Sequence, residues 1–133
     1  MSYSAMSHAA TTYREREVLT TSPARLVVMV YDHVLVNLNR ARLAAQASNL
    51  PARLDALTAA RAGIMELLGA VDAEKGGALG ANLRAIYGFV HGQLSDESKH
   101  PDASRLERIT KIVSELRSAF DAIAVDAARV PAA

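Results

Sequence analysis

The chain has 133 residues, half of them apolar, with only 5% aromatics, no tryptophan and a formal charge of +1. That length suits one domain with a single core. The balanced charge, spread without runs, excludes a basic nucleic-acid patch. The absence of cysteine excludes disulfides and thiolate metal sites. No apolar stretch is long enough for a transmembrane helix, which needs about 18 residues or more. The opening "MSYSAMSHAATTYRERE" lacks the charged n-region and apolar core of a signal peptide.

Residues 1–12 are small and polar and are expected to be loose. "YREREVL", residues 13–19, reads as a short helix or an extended arm, so 1–22 forms an N-terminal arm or cap. Ser22 and Pro23 then give a helix start, as N-cap and first helical residue. Arg25 at the third position leaves the capping box incomplete. The first long helix is expected from about Pro23 to Ala47, where "ASNLPAR" breaks it. Pro51 opens a second helix that runs to about Asp72. Gly76 and Gly77 mark the next break, and a third helix is expected over about Leu79–Ser98. Pro101 ends it, and Asp102 caps a fourth that reaches about Ala128 and leaves a tail at 129–133. Alanine and leucine dominate, and no strand pattern or repeat is present. Four long helices with short connections give an all-α chain, an antiparallel up-and-down four-helix bundle over residues 23–128.

Two of these helices read as ordinary amphipathic walls. In the fourth, Leu106, Ile109, Ile112, Val113, Leu116, Phe120 and Ile123 fall within an arc of about 120° at 100° per residue. In the second, Leu54, Leu57, Ile64, Leu68 and Val71 form a similar face. The first helix differs. Val27, Val30, Tyr31, Val34, Leu38 and Ala41 make its core side, opposite Arg25, Asp32, His33, Asn37, Asn39 and Arg40. Met29, Val36 and Leu43, spaced by seven, run through that polar side as a second apolar stripe. Either a further neighbour such as the N-terminal arm covers it, or it is a groove for a partner. The third helix carries a core stripe of Leu79, Leu83, Ile86, Val90 and Leu94. Beside it runs a stripe almost without side chains, Ala81, Ala85, Gly88 and Gly92, with Phe89 at its edge. Two mid-helix glycines cost about 1 kcal/mol each relative to alanine. Close approach of a neighbouring helix would explain them, and so would a shallow trough for a partner chain.

Chemistry is sparse. His8, His33, His91 and His100 sit among polar residues and read as solvated. A di-metal bundle needs two Glu-x-x-His motifs, and the chain has one, Glu97-Ser98-Lys99-His100, at a helix end. Gly76-Gly77 follows no strand and lacks a phosphate-loop context. Neither catalytic residues nor a metal or cofactor site are expected.

"TTSPARLVVMVYDHVLVNL" resembles the first helix of the flagellar secretion chaperones, the FliS family. Thr20, Ser22, Pro23, Leu26, Met29, Tyr31 and Asp32 match its Thr-x-Ser-Pro and Met-Leu-Tyr-Asp pattern, with Val30 in place of leucine. Tyr13 and Val18 match a tyrosine followed five residues later by valine. "DAEKGGALGANLRAIYGFV" is similar to the family's loop and third helix, and "LRSAFDAI" to its last helix, with Phe120 where tryptophan is common. Gly88, His91 and Gly92 depart from larger or charged residues usual there. The likeness spans about residues 13–124.

The resemblance implies a four-helix bundle with a short N-terminal cap. It implies a non-enzymatic cytoplasmic export chaperone that binds the disordered C-terminal segment of flagellin. Such a chaperone prevents premature polymerisation and delivers its client to the flagellar secretion apparatus, whose components are further candidate partners. The client wraps the bundle as helical pieces joined by extended chain, and Tyr13 and Val18 plug part of the groove until it arrives. On this reading Tyr13, Val18, Met29, Val36, Leu43, Ala85, Gly88, Phe89 and Gly92 form the partner-binding set. Neither nucleic acid nor membrane insertion is expected, and the protein is a monomer or weak homodimer. The rival reading is a homodimeric structural or adaptor protein with no unfolded client.

Overall fold

The computed structural model describes residues 23–71 and 73–129. Tyr13, Val18, Ser22 and the rest of the arm and cap lie outside the described residues, as does His8. Four helices follow in order, α1 (Pro23–Gln46), α2 (Leu50–Ala70), α3 (Ala73–Lys99) and α4 (Ala103–Arg129). Each expected helix is present, with ends shifted by a few residues.

Local chemistry sets the turns. α1 closes in a Schellman pattern, with Asn49 N–H donating to the Ala44 carbonyl at 2.8 Å and Ser48 N–H to Ala45 at 3.1 Å. Ser48 takes the left-handed position at φ 55°, which glycine more often fills. Asn49 then serves α2 as N-cap, its side-chain oxygen accepting from Ala52 N–H at 3.1 Å, with Pro51 in the first turn. The break read from the glycine pair is at Gly77 (φ 55°, ψ −135°), inside the helical span of α3. Asp102 caps α4 by accepting from Ser104 N–H and Arg105 N–H at 3.0 and 3.3 Å.

The helices pack as a closed square, α1 on α2, α2 on α3, α3 on α4 and α4 on α1, with α1 and α3 on one diagonal. Neighbours are antiparallel. Arg25 pairs with Asp121 and, further along α1, Asp32 pairs with Arg117 earlier in α4. α1 packs most extensively on α2, and α3 packs least on α4.

The core stacks Val34, Leu38, Leu57, Ile64, Val90, Leu94, Ile109 and Val113, all fully or almost fully buried. Burial of such side chains contributes roughly 1.5–3 kcal/mol each. Tyr31 and Tyr87 are long enough to meet across the diagonal, with their hydroxyls 2.5 Å apart. Phe120 flanks Tyr31 at 5.6 Å between ring centroids. Burial pushes both tyrosine hydroxyls above their ordinary range, Tyr31 most, and there the contact with Tyr87 adds to the rise.

Several assignments read from the sequence are corrected. Leu54, Leu79 and Ile123, expected in the core, are exposed. Leu79 and Ile123 lie near the helix ends, and Leu54 lies on the side of α2 that turns away from α1. Asn37, placed with the polar face, is buried, and its amide donates to the His33 carbonyl at 2.9 Å. Arg53 and Glu97 are buried although charged. Arg53 donates to the Glu97 backbone carbonyl and, at 3.2 Å, to its carboxylate. Glu97 also accepts from Asp102 N–H at 3.0 Å and faces Arg105 at 3.5 Å. This network ties α2, α3 and the start of α4 together at one end of the bundle. Buried charges persist only when paired in this way.

Candidate functional site

Packing four helices around one core leaves each an outer side. On α1 that side carries Met29, Val36 and Leu43, which are 56%, 56% and 48% exposed. No helix among the described residues covers the stripe, and the N-terminal arm, the other candidate cover, lies outside them. Its polar borders are engaged elsewhere. Toward α4, Arg25 and Asp32 hold Asp121 and Arg117, the latter contact raising the Arg117 pKa further. Toward α2, Asn37 and Arg40 join Leu43 along a groove of about 470 Å³ floored by alanines of α2.

The small-residue stripe of α3 also faces outward. A Cβ at Gly88 or Gly92 would meet no heavy atom within 4 Å, so no neighbouring helix approaches there. The close-approach explanation therefore fails for these two glycines, and a shallow trough is what remains. Phe89 stands beside it, 57% exposed. With Ala85 and Ile86 it forms one wall of a groove of about 520 Å³, and Ile112, Glu115 and Leu116 of α4 form the other.

The two stripes do not meet. α1 and α3 lie on a diagonal, so their outer sides face opposite directions. Of the residues singled out from the sequence, Ala85 and Phe89 share the α3–α4 groove with Gly88 and Gly92 beside them. Met29, Val36 and Leu43 form a separate face. A third feature escaped the sequence reading. Between α1 and α4 lies a groove of about 820 Å³ with Leu38, Ala45 and Leu106 in its floor and Arg42, Glu107 and Lys111 on its rim. The polar rim concealed it, since each helix reads as merely amphipathic at these positions. α4 is thus flanked by an open groove on either side.

The Glu97 carboxylate of the Glu-x-x-His motif is taken up by Arg53, Arg105 and the α4 N-terminus. Among the described residues, no cluster of three His, Asp or Glu side chains could hold a metal ion. No helix among them is long and apolar enough to cross a membrane.

Comparison with known proteins finds relatives along most of the chain. The family model "Flagellar protein FliS" matches residues 6–127. The chain is 30% identical over 111 residues to the flagellar secretion chaperone FliS of Salmonella typhimurium, covering 82% of each chain. It is 27% identical over 109 residues to the flagellar secretion chaperone FliS of Vibrio cholerae, covering 82% of this chain and 80% of that one. It is 28% identical to the flagellar secretion chaperone FliSB of Pseudomonas aeruginosa, covering 82% of this chain and 86% of the relative. With most of its length matched by the family model, the chain belongs to the flagellar protein FliS family.

Proposed function

We propose that this protein is a cytoplasmic, non-enzymatic export chaperone that binds the C-terminal segment of flagellin. It keeps that segment from polymerising early and hands it to the flagellar secretion apparatus. Family membership supports an export-chaperone role. The observation that carries the finer reading is the exposure of Met29, Val36 and Leu43 on α1 and of Phe89 beside Gly88 and Gly92 on α3, after the core is complete. A client that is disordered when free must recover its ordering entropy by burying a long apolar surface. Faces on opposite sides of a bundle suit a segment that wraps, using helical pieces with apolar anchors where grooves exist. The grooves flanking α4 give that segment a path from the α1 face around α4 to the α3 trough.

Size-exclusion chromatography with light scattering, alone and with a flagellin C-terminal peptide, tests the reading. A monomer that forms a one-to-one complex is the expected result. A stable dimer that ignores the peptide would instead assign the apolar faces to self-association.

A further inference from the structure

Cysteine is absent, and the four methionines are Met1, Met6, Met29 and Met65. Methionine ordinarily fills irregular gaps in cores. Here the described core is built from Leu, Ile, Val, Ala and Tyr, and the two described thioethers lie outside it, Met29 at 56% and Met65 at 49% exposure. Met29 stands in the apolar stripe of α1, whereas Met65 lies on α2 away from both stripes.

We propose that Met29 is an oxidation site that switches the partner-binding face of α1, with a peroxide as oxidant. The proposal rests on the reading of that face as part of the client surface. The sulfur lone pair attacks one peroxide oxygen. The S–O bond forms as the O–O bond breaks, the thioether loses two electrons, and hydrogen peroxide is reduced to water. A sulfoxide reductase drawing electrons from a thiol reverses the step. Exposure gives the oxidant access to the sulfur, and the chain has no thiol to consume it first.

The consequence falls on binding and spares the fold. A sulfoxide on the outer side of α1 disturbs no core packing. Under an apolar client anchor, however, its oxygen becomes a buried acceptor. Of the neighbours one turn away, Arg25 already donates to Asp121, Asp32 is itself an acceptor paired with Arg117, and the His33 ring lies against Gly63 of α2 with Nδ1 3.5 Å from the Asn37 amide. A buried acceptor without a donor weakens an apolar contact by about tenfold in affinity.

The test treats the full-length protein with hydrogen peroxide until mass spectrometry shows complete conversion at residue 29. Affinity for a flagellin C-terminal peptide and helicity by circular dichroism are measured before and after. The expected result is unchanged helicity, affinity weaker by about tenfold and recovery after treatment with a sulfoxide reductase and a thiol. The Met29→Leu variant, compared with its own untreated form, should show no change on oxidation. The Met65→Leu variant should lose affinity as the parent does. Equal affinity before and after full conversion of Met29 overturns the switch, as does loss of helicity or a Met29→Leu variant that remains sensitive. A protein that does not hold the peptide even before treatment overturns the functional reading, and the switch with it.

Discussion

Gly63 on α2 and Gly88 on α3 are both glycines inside long helices, yet they occupy opposite kinds of surface. A Cβ at Gly63 would lie 2.6 Å from Val34 Cγ2 and 3.3 Å from His33, so the missing side chain lets α1 and α2 close. A Cβ at Gly88 would touch nothing within 4 Å. At the first position glycine is a packing requirement. At the second the fold gains nothing from it, and the helix bears the conformational cost. At the level of these two glycines, therefore, the α1–α2 seam is closed and the α3–α4 side is open. The packing that explains the first is missing at the second among the described residues.

The largest expected effect strikes the exposed faces. Changing Met29 and Val36 together to aspartate places two carboxylates where the client's apolar anchors would sit. Each buried unpaired carboxylate costs several kcal/mol, so affinity for a flagellin C-terminal peptide should fall by a factor on the order of 1,000 or more. Stability should change by only about 0.5 kcal/mol, because both sites are solvent-facing. Titration calorimetry and urea denaturation measure the two quantities. Undiminished binding by a natively helical double variant would remove this stripe from the client surface.

The next effect strikes the closed seam. Gly63→Ala improves intrinsic helix propensity by about 1 kcal/mol. The new methyl must nevertheless displace Val34, a stiff β-branched side chain that is fully buried. Overpacking of this kind costs about 1–3 kcal/mol and should win, lowering the urea midpoint. A stabilised Gly63→Ala variant would show that the seam can yield and that the contrast with Gly88 is weaker than drawn.

These contrasts were only partly legible beforehand. Pro23, Pro51 and Asp102 punctuate the helices, and their chemistry is local, so the four elements and their topology could be read directly, whereas Gly77 kinks α3 after a start that the glycine pair did not mark. The exposed stripe of Met29, Val36 and Leu43 was also visible, because a period of seven on the polar side of a helix needs no tertiary information. Arg53 and Glu97 were missed because charge argued for solvent. Yet Arg53 continues the spacing of Leu57, Ala60 and Ile64, and Glu97 continues that of Tyr87, Val90 and Leu94. That spacing puts both on the core side, and each charge is tolerated there because the other answers it. The α1–α4 groove was not legible, since it arises from the distance between two helices and from no pattern within either.

A smaller effect probes the link between the two halves. The Tyr31–Tyr87 hydroxyl contact joins α1 of the closed seam to α3 of the open one. Burial raises both pKa values in the folded protein above the ordinary value of 10.0, so the fold favours the neutral hydroxyls. That preference is fully present below pH 10 and is lost as pH rises above it, where the unfolded chain releases protons that the folded one retains. Stability should therefore drop between pH 9 and 11 by roughly 1 kcal/mol per tyrosine. Tyr31→Phe should shrink that drop when urea midpoints are compared across the range. An identical alkaline loss in the variant would assign it to other groups.

The smallest stability change should come from the open seam, and its sign is the informative part. Gly88→Ala and Gly92→Ala add a methyl with room around it and remove the backbone freedom of glycine within a helix. Each should raise stability by about 0.8–1 kcal/mol. If the trough serves only to be empty, that gain is free and peptide affinity will not move. If a client helix lies in it, the added methyls stand in the contact and affinity falls even as the bundle becomes more stable, with Gly88→Leu weaker again. Stability and binding moving in opposite directions is the signature of a surface kept below its stability optimum for function. Loss of stability in Gly88→Ala would mean that the chain makes a contact at this position beyond those of the four helices. Gain of stability with unchanged affinity would confine the client to Phe89 and the groove wall of Ile86, Ile112 and Leu116.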